Sequence, residues 1–226
     1  MQKDEIEKLF YIDKNYSGIR NLLKSSNEIR SFNILGKIEL YSGNIKEAYN
    51  YFNKAQNIYG CCYCNFLTNK INEAKTLLNI VKESSSAVNW LICLINILED
   101  NYNQTPTYFQ IRNYYEQDLN MLFLYKKTEY IKKIINENSY LEYFNREIYK
   151  YSGRVLLNNN QWNLAEKFLK KSLDIFYKDP ETHYLLGELY EKEKDYTNAK
   201  KEYKLANEVN KGYYPAINKL KELGSN

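Results

Sequence analysis

Tyr184-Leu185-Leu186-Gly187-Glu188-Leu189-Tyr190, followed by Asp195-Tyr196-Thr197-Asn198-Ala199 and then by Tyr203 and Ala206, is the stretch on which the fold turns. Its apolar residues return every three or four positions on either side of a short polar break, the pattern of two helices joined by a tight turn. The stretch is a second copy of what precedes it: Gly187 aligns with Gly153, and the same step carries Ala199 back to Ala165. Leu169 then falls on Tyr203 and Ser172 on Ala206. A period of this length is one supersecondary unit repeated. Gly187 lies in the first helix of the unit and Ala199 in the second, where a missing or one-carbon side chain lets two helix axes approach. Leu186, Tyr190 and Tyr203 supply the bulk between units.

Towards the amino terminus the same intervals return. Gly36, Ala48, Phe52 and Ala55 are spaced from one another as Gly187, Ala199, Tyr203 and Ala206 are. Asn15-Tyr16-Ser17-Gly18-Ile19 with Leu23 is a looser copy. Ile71-Asn72-Glu73-Ala74 with Leu78 is another, but the step from Ala48 to Ala74 is shorter than that from Ala165 to Ala199, so its first helix must be short. The quoted residues resemble the L-G-x-x-Y, A-x-x-x-F-x-x-A pattern of the tetratricopeptide repeat family. The resemblance is strong over 27 to 57 and 141 to 210, weaker over 1 to 26 and 58 to 81, and absent by motif in between.

The resemblance implies an all-α chain, a right-handed superhelix of antiparallel helix pairs in the manner of a tetratricopeptide α-solenoid. Gly36, Ala48, Ala55, Ala74, Gly153, Ala165, Gly187, Ala199 and Ala206 would be its packing positions. Three parts are expected: 1–81 with units of which the last is truncated, 82–140 with degenerate helices and a loop near 99–107, and 141–226 with two well-formed units and a capping helix. Trp90 to Leu98, Leu119 to Tyr125 and Tyr130 to Ile135 read as helices of the middle part, and Ile217, Leu220 and Leu223 as the inward face of the cap. Where the family often has Trp, this chain has Phe32, Tyr149 or His183. A full unit paired with a clipped one, from Asn33 to Leu78, is also similar to the amino-terminal region of the scaffold subunits of the anaphase-promoting complex. That likeness would make the chain a subunit of a large assembly.

The totals narrow the function. A chain of 226 residues with 44% apolar residues can bury a core, and only 8 Gly and 3 Pro argue against a turn-rich sheet protein. The net charge of +4 divides into about +2 on each side of Tyr140. Nucleic-acid binding normally gathers Lys and Arg on one face, so neither part is an electrostatic specialist, and no nucleic-acid partner is expected. Met1-Gln2-Lys3-Asp4-Glu5 is charged and no apolar run approaches the ~20 residues that span a bilayer, so no membrane partner is expected. A cytoplasmic location is expected, or a nuclear one within a cell-cycle complex.

Four cysteines, three of them in Cys61-Cys62-Tyr63-Cys64, suit a reducing compartment. Cys61 and Cys64 form a C-x-x-C, but a structural zinc needs four ligands, and the remaining candidates, Cys93 and the one histidine, His183, are far along the chain. Cys62 stands as far before Ala74 as Gly36 stands before Ala48, which is the small-residue position, so helix packing is the expected role. His183 is expected to be packed. With no Gly-rich phosphate loop, H-E-x-x-H or G-x-S-x-G, neither catalysis nor a cofactor or metal is expected; the less favoured alternative is a metal-dependent regulator or enzyme centred on Cys61, Cys64 and Cys93.

By family analogy the concave wall is lined by Asn33, Lys37, Leu40 and Tyr41; Tyr59, Tyr63, Phe66 and Leu67; Lys150, Arg154, Leu157 and Asn158; and Tyr184, Glu188, Glu191 and Lys192. Tyr, Lys and Asn suit a groove for a peptide or protein, since aromatic rings give contact area at low entropic cost and amides hold an extended backbone. Chaperone-binding members clamp a terminal carboxylate with Lys and Arg of a third unit. Lys150 and Arg154 invite that comparison but stand out of register, for Glu147 and Tyr151 occupy the clamp positions.

Overall fold

The computed structural model describes residues 15–23, 26–81 and 85–224. The charged opening Met1–Glu5 lies outside them, as does Lys82. Among the described residues there are 14 helices and no strand. The contacts divide the chain into two compact units, one reaching to Gln104 and including Leu124–Lys127, the other comprising Thr105–Phe123 and Thr128 onwards.

The first unit holds α1 (Tyr16–Leu23), α2 (Ile29–Tyr41), α3 (Ile45–Lys54), α4 (Ile58–Leu67), α5 (Ile71–Leu78) and α6 (Ser86–Leu98). Each packs on its chain neighbour. Asn57 caps α4 by accepting from the Gly60 amide at 2.8 Å, and Ser85 caps α6 by accepting from Val88 N–H. The turns between helices close on a left-handed residue, Gly43 before α3, Gln56 before α4 and Asn69 before α5, which lets the chain reverse within a few residues.

The second unit contains most of α7 (Tyr108–Leu124), then α8 (Thr128–Asn136), the single turn α9 (Asn138–Leu141), α10 (Ile148–Asn158), α11 (Trp162–Ile175), α12 (Pro180–Lys192), α13 (Tyr196–Val209) and α14 (Tyr214–Gly224). Asp179 caps α12, whose first residue is Pro180, and Asp195 caps α13. Tyr115 of α7 donates to Asn138 at 2.7 Å and shares a hydrogen bond with Ser152 of α10, so a buried polar knot holds three helices together.

Trp90, Leu91 and Leu94 are buried on α6 in the first unit, while Ile111, Tyr115, Leu119 and Leu122 are buried on α7 and belong, with α8, to the second. The connection from α6 to α7 runs through 99–107, and the division falls within it.

Close approach is achieved the same way in three helix pairs. A Cβ at Gly36 would meet the Phe52 ring at 2.6 Å, one at Gly153 would meet Leu169 at 2.6 Å, and one at Gly187 would run into the Tyr203 ring. In all three pairs the bulky residue follows its glycine at the same interval. The notch in the first helix is therefore filled by a ring or branched side chain of the second, at the density of a protein interior. Phe52 also lies against Gly60 of α4, so it seals one pair against the next. Ala48, Ala74, Ala165, Ala199 and Ala206 are fully buried, and Ala55 nearly so. Leu220 and Leu223 of α14 pack on Ala199, Tyr203 and Ala206.

Candidate functional site

In the second unit, α7, α10 and α12 carry a ladder of charge. Glu147 ends the turn into α10, Lys150 and Arg154 follow on α10, Asp179 and Glu181 stand at the start of α12, and Tyr108, Arg112 and Glu116 form a stripe on α7 at spacing four. With Tyr151 these residues surround a cavity of about 360 Å³, Asp179 standing behind Lys150. Lys150 Nζ donates to Glu147 at 2.7 Å and forms ion pairs with Asp179 at 3.1 Å and Glu181 at 3.3 Å. Arg154 reaches Glu116 at 2.6 Å with one guanidinium nitrogen and Glu181 at 2.5 Å with the other. Glu116, Arg154 and Glu181 thus link α7, α10 and α12, and Lys219 continues the series from α14 to Glu191 on α12 at 3.1 Å.

Electrostatics follow from burial and pairing. Burial alone would lower the Lys150 pKa, but its carboxylates outweigh this and raise it. Burial pushes Glu147 and Asp179 up, yet Lys150 with Tyr151, and Thr182 with Lys150, hold them below ordinary values. At Glu116 burial wins over Arg154 and the carboxyl is raised. Tyrosine hydroxyls spend their protons on the same groups: Tyr151 donates to Glu147 at 2.8 Å, Tyr184 to Glu188 at 3.0 Å and Tyr203 to Glu191 at 2.7 Å.

The residues expected to line the wall divide by unit. In the second, Lys150 is buried and committed, Leu157 is buried, Arg154, Tyr184, Glu188 and Glu191 are half-buried, and Asn158 and Lys192, at the helix ends, are exposed. In the first, Lys37 is exposed and Asn33, Tyr41 and Tyr59 are half-buried. Leu40, Tyr63, Phe66 and Leu67 are buried and leave little surface for a ligand. Part of the reason is local: Tyr63 packs between Tyr59 and Phe66, and the Tyr125 hydroxyl donates to the Leu40 carbonyl at 2.7 Å. A larger cavity of about 680 Å³ in this unit lies between α3, the end of α4 and α5, away from the expected wall.

Four free thiols, all buried, show no reactive character. Burial pushes Cys62 and Cys64 up to about 12 and Cys93 to about 11, and raises Cys61. Among the described residues no three metal-ligating side chains come together, and no helix is long and apolar enough to cross a membrane.

His183 is 1% exposed, with Nδ1 at 2.7 Å from Glu202 and Nε2 at 3.1 Å from the Tyr177 carbonyl. Both partners accept, so only the imidazolium satisfies both. Burial lowers the pKa, but Glu202 and Tyr177 outweigh it and raise it above 6.5. The stability this gives is full below the unfolded value and lost as pH rises through the folded one. We expect the one histidine to titrate in NMR above 6.5, and His183→Gln to cost more stability at pH 5 than at pH 9 in paired melts. Equal cost at both would show a neutral ring.

Two features missed by the sequence reading are the α7 stripe and the pairing of Glu116, Asp179 and Glu181 with α10. The i, i+4, i+8 spacing of Tyr108, Arg112 and Glu116 was the available signal.

Helix pairs with filled glycine notches define an all-α helical-repeat protein. The tetratricopeptide repeat model matches residues 29–60 and 180–213, which hold α2–α3 and α12–α13. The chain carries tetratricopeptide repeats at these two places, a type of repeat that is in general non-catalytic and mediates protein interaction. The match is to the repeat and does not single out the anaphase-promoting complex subunits. No curated protein matches the chain.

Proposed function

We propose that this protein is a non-catalytic scaffold that holds a protein or peptide segment on the first-helix wall of its second unit. The observation that carries this is the open cavity framed by α7, α10 and α12, where charged and aromatic side chains are fixed in place by one another rather than left to move. A pre-ordered wall binds at less entropic cost than one that must first be organised. It needs no cofactor. The first unit, with Leu40, Tyr63, Phe66 and Leu67 withdrawn, contributes mainly packing.

A photo-crosslinking residue at Asn158 or Lys192, both on first helices, should join the chain to one discrete partner in its native extract. The same residue at Lys167 or Lys201 on second helices should not. Equal crosslinking from both sets would place the contact elsewhere and end this reading.

A further inference from the structure

One position of the repeat is left open in the first unit where its counterparts are closed. It comes three residues after the small residue of the first helix, and is Glu39, Asn65, Leu156 or Tyr190 in successive pairs. Tyr190 on α12 donates its hydroxyl to Glu166 on α11 at 2.8 Å, and Glu39 on α2 accepts from Arg20 on α1 at 2.5 Å, so each ties its helix to an earlier one. Leu156 on α10 is buried. Asn65 on α4 is only 8% exposed, yet among the described residues its carboxamide has no hydrogen-bond partner. Neither amide atom is sealed from solvent, so the group opens into the cavity that Asn65 lines, the one of about 680 Å³ between α3, the end of α4 and α5. Tyr49 on α3 lines it too, and its hydroxyl is likewise without a partner among the described residues. Tyr49 follows Gly36 at the interval by which Glu166 follows Gly153. The lock that Tyr190 and Glu166 close is thus open at Asn65 and Tyr49.

We infer that this cavity is a second binding site, for a small neutral ligand with an aromatic ring and a cis amide edge, a lactam or a primary carboxamide. Its volume lies in the ordinary range of ligand sites. A carboxamide sets a donor beside an acceptor, and near neutral pH the group that satisfies both at once is another amide with N–H and C=O on one side, whichever way Asn65 is turned. A carboxylic acid would do so only while protonated. A polar group enclosed with that need unmet costs stability, and a bound amide removes the cost. A flat ring suits the remaining walls, which are Ile45, Leu77, the Tyr49 ring and the Cys64 thiol, and a tyrosine ring holds the matching place on α12. The charged lining residues, Lys46, Lys70 and Glu73, are all exposed, so no buried charge calls for an ion. The site lies within the first unit and is independent of the wall on α7, α10 and α12.

The test uses the full chain, labelled with nitrogen-15, and two neutral probes: isoquinolinone, which carries the lactam edge, and isoquinoline, which keeps both rings and has an acceptor alone. In an NMR titration isoquinolinone should move the Asn65 side-chain NH2 pair, assigned by its absence from Asn65→Leu, together with backbone amides of α3, α4 and α5. Its Kd should be about 1 mM or tighter, and isoquinoline should bind at least about fivefold more weakly. Asn65→Leu keeps the volume and removes the amide, so it should erase the difference between the probes. Asn65→Ala does the same without a branched side chain, and decides the matter should leucine disturb α4. No shift from either probe at about 10 mM would overturn the site, as would shifts confined to the second unit. Equal affinity for the two probes, or a preference that survives both substitutions, would leave the amide without a role and overturn the ligand class.

Discussion

Replacing Lys150 with methionine is expected to lower the unfolding free energy by about 3–5 kcal/mol, since it strands carboxylates around a buried position. Lys150 is 6% exposed, and Glu147, Asp179 and Glu181 all approach its ammonium. Methionine fills the volume of the stem and supplies no charge, so the loss reports the network and not a cavity. Urea melts give the magnitude, and hydrogen exchange localises it, with protection falling in α10 and at the start of α12. The pH dependence has a defined sign. Glu147 and Asp179 are held below their ordinary values of 4.5 and 3.8, so their contribution is complete above those values and disappears as pH falls through the depressed ones. The gap between wild type and Lys150→Met should therefore be widest near neutrality and close in acid. A gap of under about 1 kcal/mol at pH 7 would mean the pairs are screened like surface ion pairs.

Tyr203→Ala is expected to cost about 3–5 kcal/mol by a separate route, the range for emptying a buried aromatic site. The ring is fully buried against Gly187, its centroid is 5.6 Å from that of Tyr184, and its hydroxyl holds Glu191. Because Ala199, Ala206 and Ala216 pack in the same cluster, the void cannot be filled from α14 without moving it. Tyr203→Phe separates the terms: it keeps the ring and should cost about 1.5–3 kcal/mol, the range for a hydrogen bond to a charged group. Calorimetric melting of the three proteins checks both figures, and near-equal costs for Ala and Phe would assign the stabilisation to the hydroxyl.

How far the sequence could be read depended on whether a feature was carried by residue size or by distance in space. Gly36 with Phe52, Gly153 with Leu169 and Gly187 with Tyr203 are local pairs at one recurring interval, so the helix pairs at both ends were legible. In the middle Ile131 sits where the repeat uses alanine, and that removes the marker although the helix is present. The Leu119–Tyr125 cluster revealed only the end of α7, whose earlier half buries Ile111 and Tyr115 among polar neighbours. The charge ladder was not legible, because Glu116 and Arg154 are 38 residues apart and Asp179 reads from sequence only as a helix cap. Lys150 could be placed on its helix face in advance, but not known to be buried and fully paired. The withdrawal of Leu40 involves Tyr125, far along the chain and beyond the reach of any local pattern.

The thiols carry one practical corollary. With Cys61, Cys62, Cys64 and Cys93 all buried and held in the protonated state near neutral pH, maleimide dyes and spin labels find little to attack in the folded wild-type chain. A cysteine engineered at Asn158 or Lys192 would be its dominant nucleophile, so distance spectroscopy can be done without first stripping out the native sulfur.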